Sequence, residues 1–495
     1  MPTANRRIFV FLSACLVTTM VAASAQKPAD NNKLNVLFIM TDQHNVRALG
    51  CYGSKEVKTP NLDRLAAHGV LFSNAFTQTG QCCPARYTIW TGRYAHSHGV
   101  RWNGVVEPLE ETTVVEIFKK AGYETACFGK HHMIHYPIQH GFDEVLDWRD
   151  YGQWIIKNKI PNFKKHGDFL PGVLVGGSPV GVTHVTNDQA LPGYMTAQTL
   201  RFIGQNKNKP FFIHYSFEGP HTPYTPSMPW AKMYDPDKLI LPGNFNYKNE
   251  SAPAIIKHLQ QRYTHMTEQD HRKTLAYYYG LITQIDYNIG RVLDEIDRFG
   301  LADRTIVVFT TDHGDMATER RCWTKPACGH EATIHIPMIM RLPGVIPAGV
   351  VREQLVGLID LMPTLCDLAD FEIPDKVQGK SLVPIMQGKS VEWRKVIFSE
   401  VGYPGHTWGR VVTARTRRHK YVNHENAPVG KPVEEFFDLT NDPWEVKNEI
   451  NNPRYLDIVN RLKKEIKRWE ETTDHAPMYP IGEMKLEPRP KQHNM

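Results

Sequence analysis

The pentapeptide Cys82-Cys83-Pro84-Ala85-Arg86 stands just before an apolar helical run that ends at Thr91-Gly92-Arg93. One helical turn separates Cys82 from Arg86, so a thiol and a guanidinium share a face. That pair suits chemistry at an anion, with a nucleophile at the helix start and a fixed positive charge beside it. The helix N-terminus adds a preference for negative charge of roughly 0.3–1 kcal/mol. Asp42 and Asp312 offer a second kind of chemistry. Each closes a β-branched or aromatic run, in Thr41-Asp42-Gln43 and in Thr311-Asp312-His313. On one strand alone such an aspartate reads as a helix cap. Two ends with the same Thr-Asp-polar pattern point instead to oxygen ligands for a hard divalent cation. In Gly129-Lys130-His131-His132, Lys130 and His132 point the same way in extended chain, with His131 turned away. His221 lies in Gly219-Pro220-His221-Thr222-Pro223, where a lone histidine reads first as structural.

These residues follow four short runs. Leu34–Met40 leads into Asp42, Thr125–Phe128 into Lys130, Phe211–Phe217 into His221, and Thr305–Thr310 into Asp312. Continuous apolar strands of this kind are buried on both faces, as in a mostly parallel sheet covered by helices. Helical patterns alternate with them, and the longest, from about Tyr278 to Phe299, places Leu281, Ile285, Ile289, Val292 and Ile296 on one stripe. The alternation predicts an α/β fold with a doubly wound, mostly parallel central sheet flanked by helices. In such sheets ligands sit beyond the carboxyl ends of the strands, so distant residues can converge on one site. Residues 149–200 and 222–270, rich in Pro, Gly, Asn and aromatics, read as long loops over the sheet edge. Beyond about residue 390 the character changes. Short strands at Val396-Ile397-Phe398 and His419–Val422 precede a helix with Leu456, Val459, Leu462, Ile466 and Trp469 on one side. The expected division is a signal peptide at 1–25, a catalytic domain at 31–390, and a smaller C-terminal α+β subdomain with its tail at 391–495.

A chain of 495 residues, 41% hydrophobic and 22% charged, has the make-up of a soluble globular protein with one large domain and a lesser one. Its net charge of +6 suits an anionic substrate, and the absence of a long basic run argues against nucleic acid as a partner. Arg6-Arg7, an apolar stretch to Ala23 and then Ala23-Ser24-Ala25 read as a secretory signal, too short to span a bilayer. Export to a periplasmic or secreted location follows. A lipoprotein signal with Cys15 as the lipidated residue is the alternative. Seven cysteines remain beyond the signal, an odd number that fits one withdrawn for chemistry. Cys322 and Cys328 are close enough in sequence to bridge a loop.

The pentapeptide resembles the activation signature of the sulfatase family, in which the first cysteine is oxidised after translation to formylglycine (3-oxoalanine). The resemblance covers nearly all of the chain past the signal, through Asp42, Gly50-Cys51-Tyr52-Gly53, Thr91-Gly92-Arg93, Gly129-Lys130-His131-His132, Thr311-Asp312-His313-Gly314, Asp360-Leu361-Met362-Pro363-Thr364 and Asp438-Leu439 with Asp442-Pro443. It implies an alkaline phosphatase-like sheet, hydrolysis of sulfate monoesters, and a formylglycine-generating partner enzyme acting on Cys82. By the same resemblance, Asp42, Gln43, Asp312 and His313, with modified Cys82, look like ligands of Ca²⁺, with Mg²⁺ or Mn²⁺ as alternatives. The commonest ligand set has Asp where Gln43 stands and Asn where His313 stands. The Gln/His variant is similar to that of phosphonate monoester hydrolases and some sulfatases.

The resemblance also implies roles. Hydrated formylglycine at position 82 would attack sulfur. Arg86 and Lys130 would hold it and the sulfate oxygens, and His132 would stabilise or deprotonate its hydroxyl. His221 would protonate the leaving alcohol oxygen. Lys325, the nearest lysine before Glu331 and the apolar Ile334–Met340 run, is either a sulfate contact or an exposed loop lysine, and Asn103 is a possible extra substrate contact. The implied substrate is a sulfated sugar within a polysaccharide, and the alternative is phosphonate monoester or phosphodiester hydrolysis on the same scaffold.

Overall fold

The computed structural model describes residues 33–105, 110–133, 137–162, 165–247, 252–425, 429 and 432–477. The expected signal segment, with Cys15, lies outside the described residues, as does the tail past 477. No helix among the described residues is long and apolar enough to cross a membrane.

Eight strands form the central sheet, in the order Val350–Arg352, Val70–Phe72, Met338–Arg341, Thr305–Thr311, Asn35–Asp42, Phe211–Pro220, Glu124–Gly129 and Glu144–Leu146. Only Met338–Arg341 runs against its neighbours. The strand Asn35–Asp42 is buried along its whole length and divides the core by side-chain alternation. Val36, Phe38 and Met40 pack with Trp90, Phe118 and Phe212 on one face. Leu37 and Ile39 pack with Ile285, Ile289 and Phe309 on the other. Register then fixes the rim where the chemistry must sit. Thr41 pairs with Thr311, Asp42 with Pro220, and Gly129 with Ser216. Four chain segments therefore leave the sheet side by side. Gly129 is required there: it has φ 107°, and a Cβ would lie 1.7 Å from the Ser216 carbonyl oxygen.

The long helix runs from Glu268 to Arg298, ten residues ahead of the apolar stripe that predicted it. Thr267 starts it through a capping box with Asp270, which the alternation of apolar residues does not register. The expectation of loops at 149–200 and 222–270 is corrected in several places. Trp148–Lys157, Leu191–Asn206 and Ala254–Arg262 are helices, and Gly167–Val175 pairs with Ser178–Thr183 as a hairpin. The hairpin turns at Gly176-Gly177, both at positive φ, the arrangement that suits a two-residue connection. In Leu191–Asn206 the buried face carries Thr196 and Thr199, whose hydroxyls bond back to Pro192 and Met195 carbonyls. Polar residues on the core side hid the period.

A four-stranded antiparallel sheet, Ile397–Gly402, Arg410–Arg415, His419–His424 and Val433–Asp438, forms the C-terminal part. The helix Leu456–Thr472 covers it, burying Val459, Leu462, Ile466 and Trp469 against Val412, Ala414, Tyr421 and Phe436. The seam with the larger body is charged and buried. Glu331 meets Arg415 at 3.0 Å and Lys420 at 3.5 Å, Lys420 also pairs with Glu445, and Glu445 accepts the Glu331 backbone N–H at 2.9 Å. Burial opposes ionisation of Glu331, but Arg415 and Lys420 outweigh it and hold the carboxyl well below the usual range.

Candidate active site

Cys82 is the first residue of the helix Cys82–Thr91, every residue of which is buried. Its Sγ lies 3.0 Å from His313 Nε2, 3.1 Å from Lys325 Nζ and 3.8 Å from Asp42 Oδ1. Arg86, one turn on, ties the strand ends together. Its Nε donates to Asp312 Oδ2 at 3.0 Å and one terminal nitrogen donates to Asp42 Oδ2 at 3.0 Å. The other donates to the Lys130 carbonyl at 2.6 Å and to Ser216 Oγ at 3.0 Å. Those four bonds leave at most one of the five guanidinium N–H groups for a ligand, so Arg86 is mainly a clamp on the two carboxylates. Lys130 Nζ lies 2.7 Å from Asp42 Oδ2. Lys325 Nζ donates to Gln43 Oε1 at 2.9 Å, which puts this lysine inside the site and not on an open loop.

Asp42, Cys82, Asp312 and His313 offer ligand atoms that all lie within 4.8 Å of one another. Oxygen and nitrogen donors from two carboxylates and an imidazole suit a divalent cation, and the electrostatics suit one as well. Burial opposes charge on Asp42, yet Lys130, Lys325, His221 and Arg86 hold its carboxyl well below the usual range. Asp312 goes the other way: burial and then the neighbouring Asp42 push it up to about 7. Two carboxylates this close favour a proton, or a cation, between them. A raised carboxyl stabilises the fold fully only below its unfolded value, and that stability is lost as pH rises through about 7. A cation that replaces the proton restores it. The melting-temperature gap between calcium-supplied and chelator-treated protein should therefore widen as the pH is raised from about 5 to about 8. A gap constant across that range would contradict this electrostatic picture.

A family model described as Sulfatase matches residues 34–371, more than half of the chain. The chain belongs to the sulfatase family. A second model, described as N-sulphoglucosamine sulphohydrolase, C-terminal, matches residues 320–472. Among characterised relatives, this sulfatase-family chain is 30% identical over 464 residues to an arylsulfatase of Clostridium perfringens, covering 87% of this chain and 93% of that protein. It is 25% identical over 518 residues to an N-acetylglucosamine-6-O-sulfatase of Bacteroides thetaiotaomicron, covering 91% and 88%. Among solved structures, a phosphonate monoester hydrolase from Silicibacter pomeroyi superposes with a TM-score of 0.78 at 27% identity, covering 90% of this chain and 96% of that one. As a family member this sulfatase is a sulfuric ester hydrolase on an alkaline phosphatase-like fold.

The remaining residues sort by their contacts. His132 lies beside Cys82, and its Nδ1 is buried with no partner among the described residues. His131 pairs with Asp147 at 3.4 Å and is structural, as its position in the motif predicts. His221 donates from Nδ1 to the Thr222 carbonyl at 3.0 Å, which directs Nε2 to other work. Burial and then Lys325 push it down to about 4. Asn103 anchors the helix of this sulfatase that carries Cys82: its Oδ1 accepts the Cys83 N–H at 2.9 Å and its Nδ2 donates to Gln81 at 3.1 Å. Cys322 and Cys328 are free buried thiols, so no bridge closes their loop. One buried carboxylate escaped the sequence reading. Asp315 follows Gly314 in irregular chain beyond the strand Thr305–Thr311, and nothing in the spacing ties it to Gln43.

Proposed function

We propose that this sulfatase hydrolyses a sulfate monoester on a sulfated sugar, with formylglycine made from Cys82 as its nucleophile. The observation that carries the reading is the position of the Cys82 side chain. Lys325, His313 and Asp42 reach its sulfur at once, from segments far apart in sequence. Sγ there stands in for the oxygen of the converted residue. The hydrated aldehyde supplies two hydroxyls on one carbon, one to attack sulfur and one to lose its proton and release sulfate as the carbonyl re-forms.

Asp42, Gln43, Asp312 and His313 would hold the cation, which adds Lewis-acid stabilisation of charge on the sulfuryl oxygens. Lys130 and Lys325 would neutralise the same charge at fixed distances, and His132 would take the proton from the attacking hydroxyl. Arg86 would keep Asp42 and Asp312 together while this happens. His221 is neutral in the free site; a bound ester anion favours its protonated form, which would then deliver the proton to the leaving oxygen. A small cavity of about 70 Å³ opens beside His221, with Trp148, Leu191, Pro192, Met195 and Leu281 in its walls. Apolar walls with a half-exposed tryptophan suit the face of a sugar ring. The segment 1–25 would export the chain, and a formylglycine-generating enzyme would be its maturation partner.

A phosphonate monoester or phosphodiester hydrolase is the second reading. Gln43 and His313, with the likeness to the Silicibacter enzyme, favour it. Rates on matched aryl sulfate and aryl phosphonate monoesters separate the two. We expect kcat/KM to favour the sulfate, and a clear preference for the phosphonate would replace our reading with the second. Defined sulfated oligosaccharides then test the sugar.

A further inference from the structure

We infer that Asp315 is a positioning residue that fixes which end of the Gln43 side-chain amide faces the reacting centre. Through the same carboxylate it sets the loop that carries Lys325. The inference rests on the reading of Gln43 as an oxygen donor in the site.

Asp315 is fully buried, and each of its side-chain oxygens has two donors. Oδ2 accepts from Gln43 Nε2 at 2.5 Å and from the Tyr224 hydroxyl at 2.7 Å. Oδ1 accepts the backbone N–H of Ala317 at 2.7 Å and of Thr324 at 3.0 Å. Its backbone carbonyl accepts from Asn45 Nδ2 at 2.7 Å. A carboxylate so placed only accepts, so the NH₂ end of Gln43 must face it and the oxygen must face away. From the opposite side Lys325 Nζ donates to Gln43 Oε1, and an ammonium group only donates. Both neighbours select the same one of two amide orientations. The selected oxygen shares Lys325 Nζ with the Cys82 side chain. The backbone of Gln43 is equally constrained. It holds φ 65°, uncommon for a residue with a side chain, while the Tyr278 hydroxyl donates to its carbonyl at 3.0 Å.

The second half of the inference comes from the loop. Ala317, Thr318, Arg320, Arg321 and Thr324 all have positive φ, at 41°, 75°, 56°, 57° and 68°. Such backbone persists only where its surroundings over-determine it. Asp315 Oδ1 bridges the two ends of this segment, at Ala317 and Thr324, and Thr324 immediately precedes Lys325. Met316 N–H to the Thr324 carbonyl at 2.9 Å, and Thr318 N–H to the Cys322 carbonyl at 2.9 Å, complete the closure. One carboxylate thus sets a ligand oxygen and the ammonium group that joins it to the nucleophile.

Removing the carboxylate's acceptor-only character tests this. In Asp315→Asn the new amide can donate to Gln43, which frees the Gln43 side chain to turn its NH₂ toward Lys325. On full-length protein stripped by chelator, with calcium alone as titrant, we expect affinity to fall about 10–100-fold. KM for an aryl sulfate should rise with it. The exchanged pair Gln43→Glu with Asp315→Asn restores one donor facing one acceptor and should regain most of the calcium affinity, which a merely structural role for Asp315 would not produce. If Asp315→Asn alone does not fold, the exchanged pair carries the test: folding with calcium affinity regained supports the inference, and failure overturns it. Wild-type affinity and KM in Asp315→Asn would also overturn it. Wild-type protein that neither binds calcium nor cleaves the ester would sink the catalytic reading, and the inference with it.

Discussion

Cys82→Ala is expected to lower kcat for an aryl sulfate by on the order of 10⁵–10⁶, with a fold that remains intact. Alanine deletes only the sulfur, and the neighbours of that sulfur are polar groups with other partners. Lys325 keeps Gln43, and His313 keeps the Gly314 carbonyl at 2.9 Å through Nδ1. What is lost is the single reacting atom, and no nearby side chain can replace it. The large effect follows from the nature of covalent catalysis, in which the nucleophile acts as a unit with its base and charge stabilisers. A residual kcat within about a hundredfold of wild type would remove Cys82 from the nucleophile position. Mass spectrometry of the peptide around Cys82 gives the companion result. In a host with the maturation enzyme the peptide should have exchanged sulfur for oxygen and lost two hydrogens. Protein made without that enzyme should be as inactive as the alanine variant.

Arg86→Ala should destabilise the protein by about 3–5 kcal/mol, read as the shift of a urea-unfolding midpoint at constant slope. The guanidinium is fully buried between Asp42 and Asp312, 3.0 Å from each. Deleting it leaves two buried carboxylates with one fewer counter-charge and strands the Lys130 carbonyl and Ser216 hydroxyl. Arg86→Lys keeps the charge but not the flat, four-contact geometry, so it should recover only part of the loss. Saturating calcium should also return part of it, because a cation between the carboxylates serves the same electrostatic need. A loss of less than about 1 kcal/mol would mean that water reaches this cluster and screens it.

The sheet was legible because its central strands are buried on both faces and therefore apolar without interruption. Asn35–Asp42 and Thr305–Thr311 end within a residue or two of where their composition changes. That change also drew attention to Asp42 and Asp312, because two such strands end in the same Thr-Asp-polar pattern. Lys325 was harder to place. It rides on a loop of left-handed turns held by Asp315, and neither periodicity nor spacing reports a loop whose shape is set by one buried carboxylate. Arg86 was found for its position, yet its contacts make it a clamp on the two aspartates more than a hand for the substrate. The helix Leu191–Asn206 was missed because threonines serve its core-facing side. The Gly176-Gly177 turn did carry a signal, since paired glycines between short apolar runs mark a hairpin.

The seam between the central body and the C-terminal sheet has a consequence for how the molecule comes apart. Grease at a boundary lets two bodies separate at a cost that grows smoothly with exposed area. Here apolar contacts, such as Phe76 and Ile334 against Ile397, are joined by the buried charges of Glu331, Arg415, Lys420 and Glu445, with Glu331 only a few residues from Lys325. Pulling the two parts apart takes Glu331 away from both Arg415 and Lys420 at the same moment. Losing the C-terminal sheet while keeping the central body would leave the Glu331 carboxylate without its counter-charges, a cost that ties the two parts together in unfolding. Glu331 follows Lys325 closely in the chain, so loosening the C-terminal sheet is expected to reach the loop that holds Lys325 as well.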